Sequence, residues 1–283
     1  MTNTPSPLAN RFLGLESCGD DARFRLRISP GLCVGPKGNA IMFGGIGLGA
    51  AVAAAEFATG RPAVWASAQF LSYARINDTL DLQVETLTAG RNVTQLRVLA
   101  TDAGKPILTV NAALGSREGF LDDQWALPPE DMPGPDACEP MQLWPPQDGQ
   151  AAFMHRLEVR VAPGRYGATP RDGRRSADGR QIMWMRTVED VPVDAAMLAV
   201  FADFVPSGLA AAFGTPGGGN SLDNTLRILN LVPTRWVMCD VRIAGAARGF
   251  GHGAIYMFAE DGTLMASGSQ SVILRFVPAR PAG

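Results

Sequence analysis

Lysine is almost missing from this chain of 283 residues. Of its 25 cationic side chains only Lys37 and Lys105 are lysines, and histidine occurs twice, at His155 and His252. With 27 acids against these cations the net charge is -2. That removes the basic excess a nucleic-acid binder needs to neutralise phosphates, so no nucleic-acid partner is expected and a small molecule or protein is favoured. The arginine bias reflects genome composition as readily as phosphate binding. Cysteine is sparse as well. Cys18, Cys33, Cys138 and Cys239 stand singly, without a CxxC pair. This excludes a disulfide scaffold and, with two lone histidines, argues against a zinc site. The opening stretch MTNTPSPLANRFLG lacks a basic region followed by an apolar one. No signal peptide is expected, and reduced thiols fit a cytoplasmic protein. The most apolar run, IMFGGIGLGAAVAAAEF, contains four glycines and reaches Glu56 before it could cross a bilayer. No membrane partner is expected from it.

What is present is a large apolar content, 46% of all residues. That is enough for one big core or for two of about 130 to 150 residues each. From Gly44 to about Gly60 the sequence is Ala-rich and apolar on nearly every side, which predicts a helix buried in a core. Short, β-branched strands follow at 63–73, 79–89, 93–101 and 106–115, separated by turn signals such as Asp102-Ala103-Gly104. Residues 119–150 hold seven prolines and no period, and read as a linker laid over the surface. A second module is expected from Ala151, with strands at 153–162 and 181–189 flanking an Arg-rich tip at 164–180. A helix from 193 to about 205 comes next, then strands at 221–229, 235–244, 251–259 and 264–276.

The order of elements therefore repeats. Turn TDAGKPI at 101–107 aligns with AEDGTLM at 259–265, Gly104 falling on Gly262. An internal duplication with an offset of 158 positions explains this. The predicted class is α+β, with two antiparallel sheets each wrapped around one long helix. The expected units are an N-terminal module at 1–118, the linker at 119–150 and a C-terminal module at 151–283.

One carboxylate stands out. Asp203 lies inside AMLAVFADFVP, an oily run, and a buried acid there needs dedicated partners or a shifted pKa. Without further context the plain reading is a helix residue that faces solvent or caps near Pro206.

The stretches FGGIGLGAA, AQFLSYARIND, TAGRNVTQLRVLATDAGKPILTVNAALG and GHGAIYMFAEDGTLMASGSQSVILR together resemble the acyl-CoA thioesterase II family, a double hotdog. The likeness spans about residues 12–278 and is specific in order and spacing more than in any single motif. It implies hydrolysis of acyl-CoA thioesters by a water held between Asp203, Ser221 and Gln270. No cofactor is implied, and a homodimer or larger homo-oligomer is. Three residues depart from the family pattern. Ile46 replaces a usual glutamine, Asn224 replaces a common histidine, and Ser221 stands for threonine. The internal comparison sets Gln270 against Ala112, so one half carries a polar group where the other is plain.

Rival readings follow from single features. GIGLGA at 45–50 matches G-x-G-x-x-A, but strands follow it instead of alternating βα units, and no acid lies about 20 residues on. Neither His155 nor His252 is placed for a hydratase His–acid pair. The Arg-rich tip suits coenzyme A phosphates or plain solvation, the latter being commoner. A non-catalytic acyl-CoA or acyl-chain binding protein on the same fold is the alternative that Ile46 and Asn224 keep open.

Overall fold

The computed structural model describes residues 12–20, 22–117, 122–141, 151–164, 174–215 and 217–276. Part of the Arg-rich tip, 165–173, residue 118, and part of the linker, 119–121 and 142–150, lie outside the described residues.

Helix α1 (Gly44–Thr59) forms although glycine is a poor helix former, costing about 1 kcal/mol against alanine at each position. Packing overrides the propensity. A Cβ on Gly45 would stand 2.6 Å from the Val200 carbonyl oxygen, and one on Gly49 2.8 Å from that of Ala196. The glycines thus let a second helix approach backbone to backbone. Gly60, in the left-handed region at φ 62°, ends α1 and donates its N–H to the Glu56 carbonyl.

That second helix is broken. Asp194 caps α2 (Ala195–Phe201) by accepting from the Met197 N–H at 2.9 Å. A 3-10 turn, Ala202–Phe204, then leads into α3 (Val205–Phe213), with Asp203 at non-helical φ −86°, ψ 24°. Pro206 supplies the cause. It has no N–H for the carbonyl four residues back, and its ring crowds that carbonyl, so the regular ladder cannot pass this point. The helix expected over 193 to about 205 accordingly starts at Ala195 and continues, across the break, to Phe213. The whole 195–213 run is long and apolar enough to cross a bilayer by composition, but most of it is buried inside the protein.

The strands are β1 (Leu15–Ser17), β2 (Arg23–Arg27), β5 (Ala63–Phe70), β6 (Thr79–Ala89), β7 (Val93–Asp102), β8 (Lys105–Gly115), β9 (Glu139–Pro140), β10 (Leu157–Val161), β11 (Arg180–Thr187), β12 (Gly217–Ile228), β13 (Val237–Ala247), β14 (Phe250–Phe258) and β15 (Leu264–Phe276). Instead of the two separate sheets expected, they join into one antiparallel sheet ordered β1-β2-β6-β7-β8-β5-β12-β15-β14-β13-β11-β10-β9, because β5 and β12 pair across the halves, while β3 (Cys33–Val34) and β4 (Ile41–Met42) pair separately. Two expected strands are shorter than the sequence suggests. Phe153–Arg156 is a 3-10 turn, so β10 begins only at Leu157, and β5 ends at Phe70. The seam between the halves is β5 against β12, where Ser67 Oγ and Thr225 Oγ1, 158 positions apart, lie within 3.0 Å.

Helix α1 packs on β2 and β5 to β8, and α3 on β11 to β15. One continuous apolar cluster runs through both halves, and a smaller one forms where the linker crosses the far side of β11, β13 and β14. There Cys138 packs with Trp184, Trp236 and Phe258, and the Trp184 indole N–H donates to the Pro133 carbonyl at 2.9 Å.

The helix–helix contact sets a test. Gly45→Ala and Gly49→Ala each force a methyl into a backbone carbonyl, so each should lower unfolding free energy by about 1–3 kcal/mol in urea titrations. Gly134→Ala, at φ −63° with open space around it, should stay within roughly 0.5 kcal/mol of wild type. Equal effects at all three positions would remove the close-approach argument.

Candidate active site

The break between α2 and α3 aims Asp203 at the start of α1. Asp203 is 3% exposed, and its Oδ2 accepts the Gly45 N–H at 2.7 Å. Phe43, the residue at the N-cap of α1, offers no side-chain cap. The carboxylate of another helix therefore satisfies one of the orphan N–H groups of the first turn, where the helix dipole also favours negative charge.

Two strands supply the other partners. Ser221 on β12 donates its hydroxyl to Asp203 Oδ1 at 3.1 Å. Gln270 on β15 donates through Nε2 to the same carboxylate oxygen and to Ser221 Oγ, the latter at 2.6 Å. The structure thus brings Asp203, Ser221 and Gln270 into one hydrogen-bonded cluster.

Electrostatically the site is a balance. Burial pushes the Asp203 carboxyl up, to about 6, while hydrogen bonds from Gln270, Gly45 and Ser221 pull the other way. Asn224, fully buried on β12, also favours the ionised form, although neither of its amide atoms reaches hydrogen-bonding geometry with any partner. Glu56 is a second half-buried acid, raised to about 7 by burial and held by the Ala63 N–H. It does not border the cleft described next.

A cleft of about 560 Å³ opens beside the cluster. Asp203 and Ser221 face it, and its walls are mainly apolar, with Met42, Phe43, Phe70, Ile107, Met154 and Phe204 among them. Among the described residues no lysine or arginine lines it. Its size suits a small-molecule site, and its chemistry is that of an uncharged, apolar ligand beside one acid. His252 stands elsewhere, exposed, with Nδ1 3.2 Å from Ser271 Oγ.

Gly45 and Asn224 carry more of the site than the sequence alone suggests. Gly45 is one of four glycines in a row of similar ones. Asn224 registers only as a departure from a pattern until strand pairing sets it opposite Gln270.

Family models match the chain in two consecutive pieces, the acyl-CoA thioesterase N-terminal domain over residues 35–115 and the C-terminal domain over 135–274. A proposed thioesterase of solved structure from Novosphingobium aromaticivorans DSM 12444 is 40% identical, covering 92% of this chain and 98% of its own, with a TM-score of 0.83. This chain belongs to the acyl-CoA thioesterase family. The thioesterase also shares its fold with more distant structures. One is a hot dog fold protein from Alicyclobacillus acidocaldarius, at 18% identity, 96% and 98% coverage and TM-score 0.80. Another is the acyl-CoA thioesterase II TesB2 of Mycobacterium marinum, at 19% identity, 95% and 99% coverage and TM-score 0.72. A comparison with curated proteins gave no match.

The raised acid has a consequence for stability. The unfolded chain ionises Asp203 near 3.8 and the native protein near 6, so well below 3.8 the group is neutral in both states and native stability is lost as pH rises from there to 6. Asp203→Asn should remove that loss, on the order of 3 kcal/mol. In urea unfolding the variant's stability relative to wild type should therefore rise between pH 4 and pH 7. A difference that does not change with pH would mean that Asp203 titrates normally.

Proposed function

We propose that this thioesterase hydrolyses acyl-CoA thioesters through a water activated by Asp203, on a double hotdog whose two halves, 1–118 and 151–283, each wrap their share of the common sheet around a central helix. The single observation that carries the reading is a buried carboxylate, raised to about 6, that faces an apolar cleft while hydrogen-bonded to Ser221 and Gln270.

In this account the acyl chain lies along the apolar wall and its thioester carbonyl stops beside Asp203. A water within reach of the carboxylate gives it a proton as the water oxygen attacks the carbonyl carbon. A base with a pKa near 6 is mostly ionised at neutral pH and still basic enough to take that proton. Gln270 donates to both Ser221 and Asp203, so the hydroxyl and carboxylate are fixed relative to each other before substrate arrives. Collapse of the tetrahedral adduct breaks the C–S bond. The proton held on Asp203 then passes to the sulfur, so the products are a carboxylic acid and the free thiol of coenzyme A. Gly44, at the cleft wall and in the first turn of α1, sets the end of the helix dipole where charge grows on the carbonyl oxygen. No cofactor enters the scheme. Exposed Leu71, Tyr73 and Leu222 near the cleft mouth support a homodimer or larger assembly, and the free cysteines support a cytoplasmic setting.

The test is release of free coenzyme A from short, medium, long and aryl acyl-CoAs, with Asp203→Asn as the comparison and a blank for the four cysteines. Turnover by wild type that falls about a hundredfold or more in the folded variant is the expected result. Acyl-CoA binding without turnover on any member of the panel would replace the enzyme with a binding protein.

A further inference from the structure

Among the described residues three buried side-chain polar atoms have no hydrogen-bond partner within the protein: Asn224 Nδ2, Asn224 Oδ1 and Gln270 Oε1. They belong to two residues directly opposite each other in the β12–β15 register. Cβ atoms so placed lie about 5 Å apart, and both side chains are fully or almost fully buried. A buried acceptor left without a donor carries the full desolvation penalty of that group, so clustered orphans on facing side chains call for a shared solution.

The chemistry of the glutamine says what that solution does. Both Nε2 hydrogens of Gln270 are committed, one to Asp203 and one to Ser221. Turning the amide over would aim Oε1 at the carboxylate, replacing an attraction with a repulsion. A lone glutamine amide has no strong preference between the two orientations beyond what its partners impose. The donor that would lock the observed one must meet Oε1, and Asn224 Nδ2 is an unpartnered donor on the facing residue.

We propose that Asn224 is a positioning residue. Its amide, directly or through one water, donates to Gln270 Oε1 and so fixes the face of Gln270 that meets Asp203 and Ser221. Asn224 does not line the cleft, so it acts through Gln270 and touches no substrate. Its catalytic consequence rests on the thioesterase reading above, whereas its hold on Gln270 does not. The groups facing Asp203 are Gly45 from α1, Ser221 and Asn224 from β12, and Gln270 from β15, and none of them is charged. Removal of Asn224 therefore changes the site without altering any neighbouring charge.

The test uses full-length protein labelled with ¹⁵N-glutamine, the Gln270 side-chain signal being assigned with Gln270→Leu. In wild type its amide protons should exchange slowly with solvent. In Asn224→Leu, and in the smaller, uncharged Asn224→Ala should the leucine variant not fold, exchange should quicken at least tenfold. Turnover should fall roughly tenfold or more with KM within about twofold, the sign of a loss confined to the transition state. The midpoint of the rate–pH profile should move up in Asn224→Leu. Asn224→His, which keeps an N–H donor, should recover much of the exchange protection and rate. Unchanged exchange in the variants would overturn the proposal, whatever the rates, and leave Asn224 as a space-filling residue. Quickened exchange in a protein that hydrolyses none of the thioesters would uphold the role of Asn224 while removing the function assigned to the site.

Discussion

The hydrogen bond from the Gly45 N–H to the Asp203 carboxylate is the contact on which the rest of the arrangement depends. It joins the start of α1 to the break between α2 and α3, and it requires conditions on both sides. Helix α1 must come within backbone contact of α2, which only residues without a Cβ allow at Gly45 and Gly49. The partner chain segment must leave helical geometry at Asp203, which Pro206 enforces three residues later. Without the glycines the acid could not reach the helix end. Without the proline, Asp203 would follow a regular helical path with no reason to point at α1.

This geometry also explains how a carboxylate survives at 3% exposure. An unpaired ion in an apolar interior is costly, and among the described residues no cation contacts Asp203. Neutral donors from three elements, α1, β12 and β15, take the place of a counter-ion. They are strong enough to keep the ionised form accessible and too weak to cancel the burial. An arginine in the same position would have stabilised the anion outright and made it a poor base. The apolar cleft wall contributes the other half of the balance, since it excludes the water that would lower the pKa.

Much of this was legible in the residues. The strands between 79 and 115 and between 237 and 276 are visible as short runs separated by turn signals, and the buried helix at 44–59 as a run apolar on all sides. The oily context of Asp203 marked it before any partner was known, and the family resemblance named Ser221 and Gln270. The remainder was hidden for identifiable reasons. Pro206 after an apolar run signals either a helix end or the first turn of a new helix, and only packing decides between them. Phe153–Arg156 has strand-like composition, yet Phe153 is buried in an aromatic stack with Phe43 that a 3-10 turn permits. Strand β1 is too short to give a period, and β2 alternates over only five residues. Gly45 and Asn224 acquire meaning only through tertiary neighbours, one across the helix pair and one across the β12–β15 ladder.

The central claim is that a buried aspartate is held at the edge of ionisation by neutral donors. The measurement that addresses it most directly is the ¹³C carboxyl titration of Asp203, with the signal assigned by Asp203→Asn. The account predicts a midpoint near 6 in the folded protein. A midpoint near the ordinary aspartate range, about 4, would contradict it, because the apolar surroundings would then not be setting the basicity of the group.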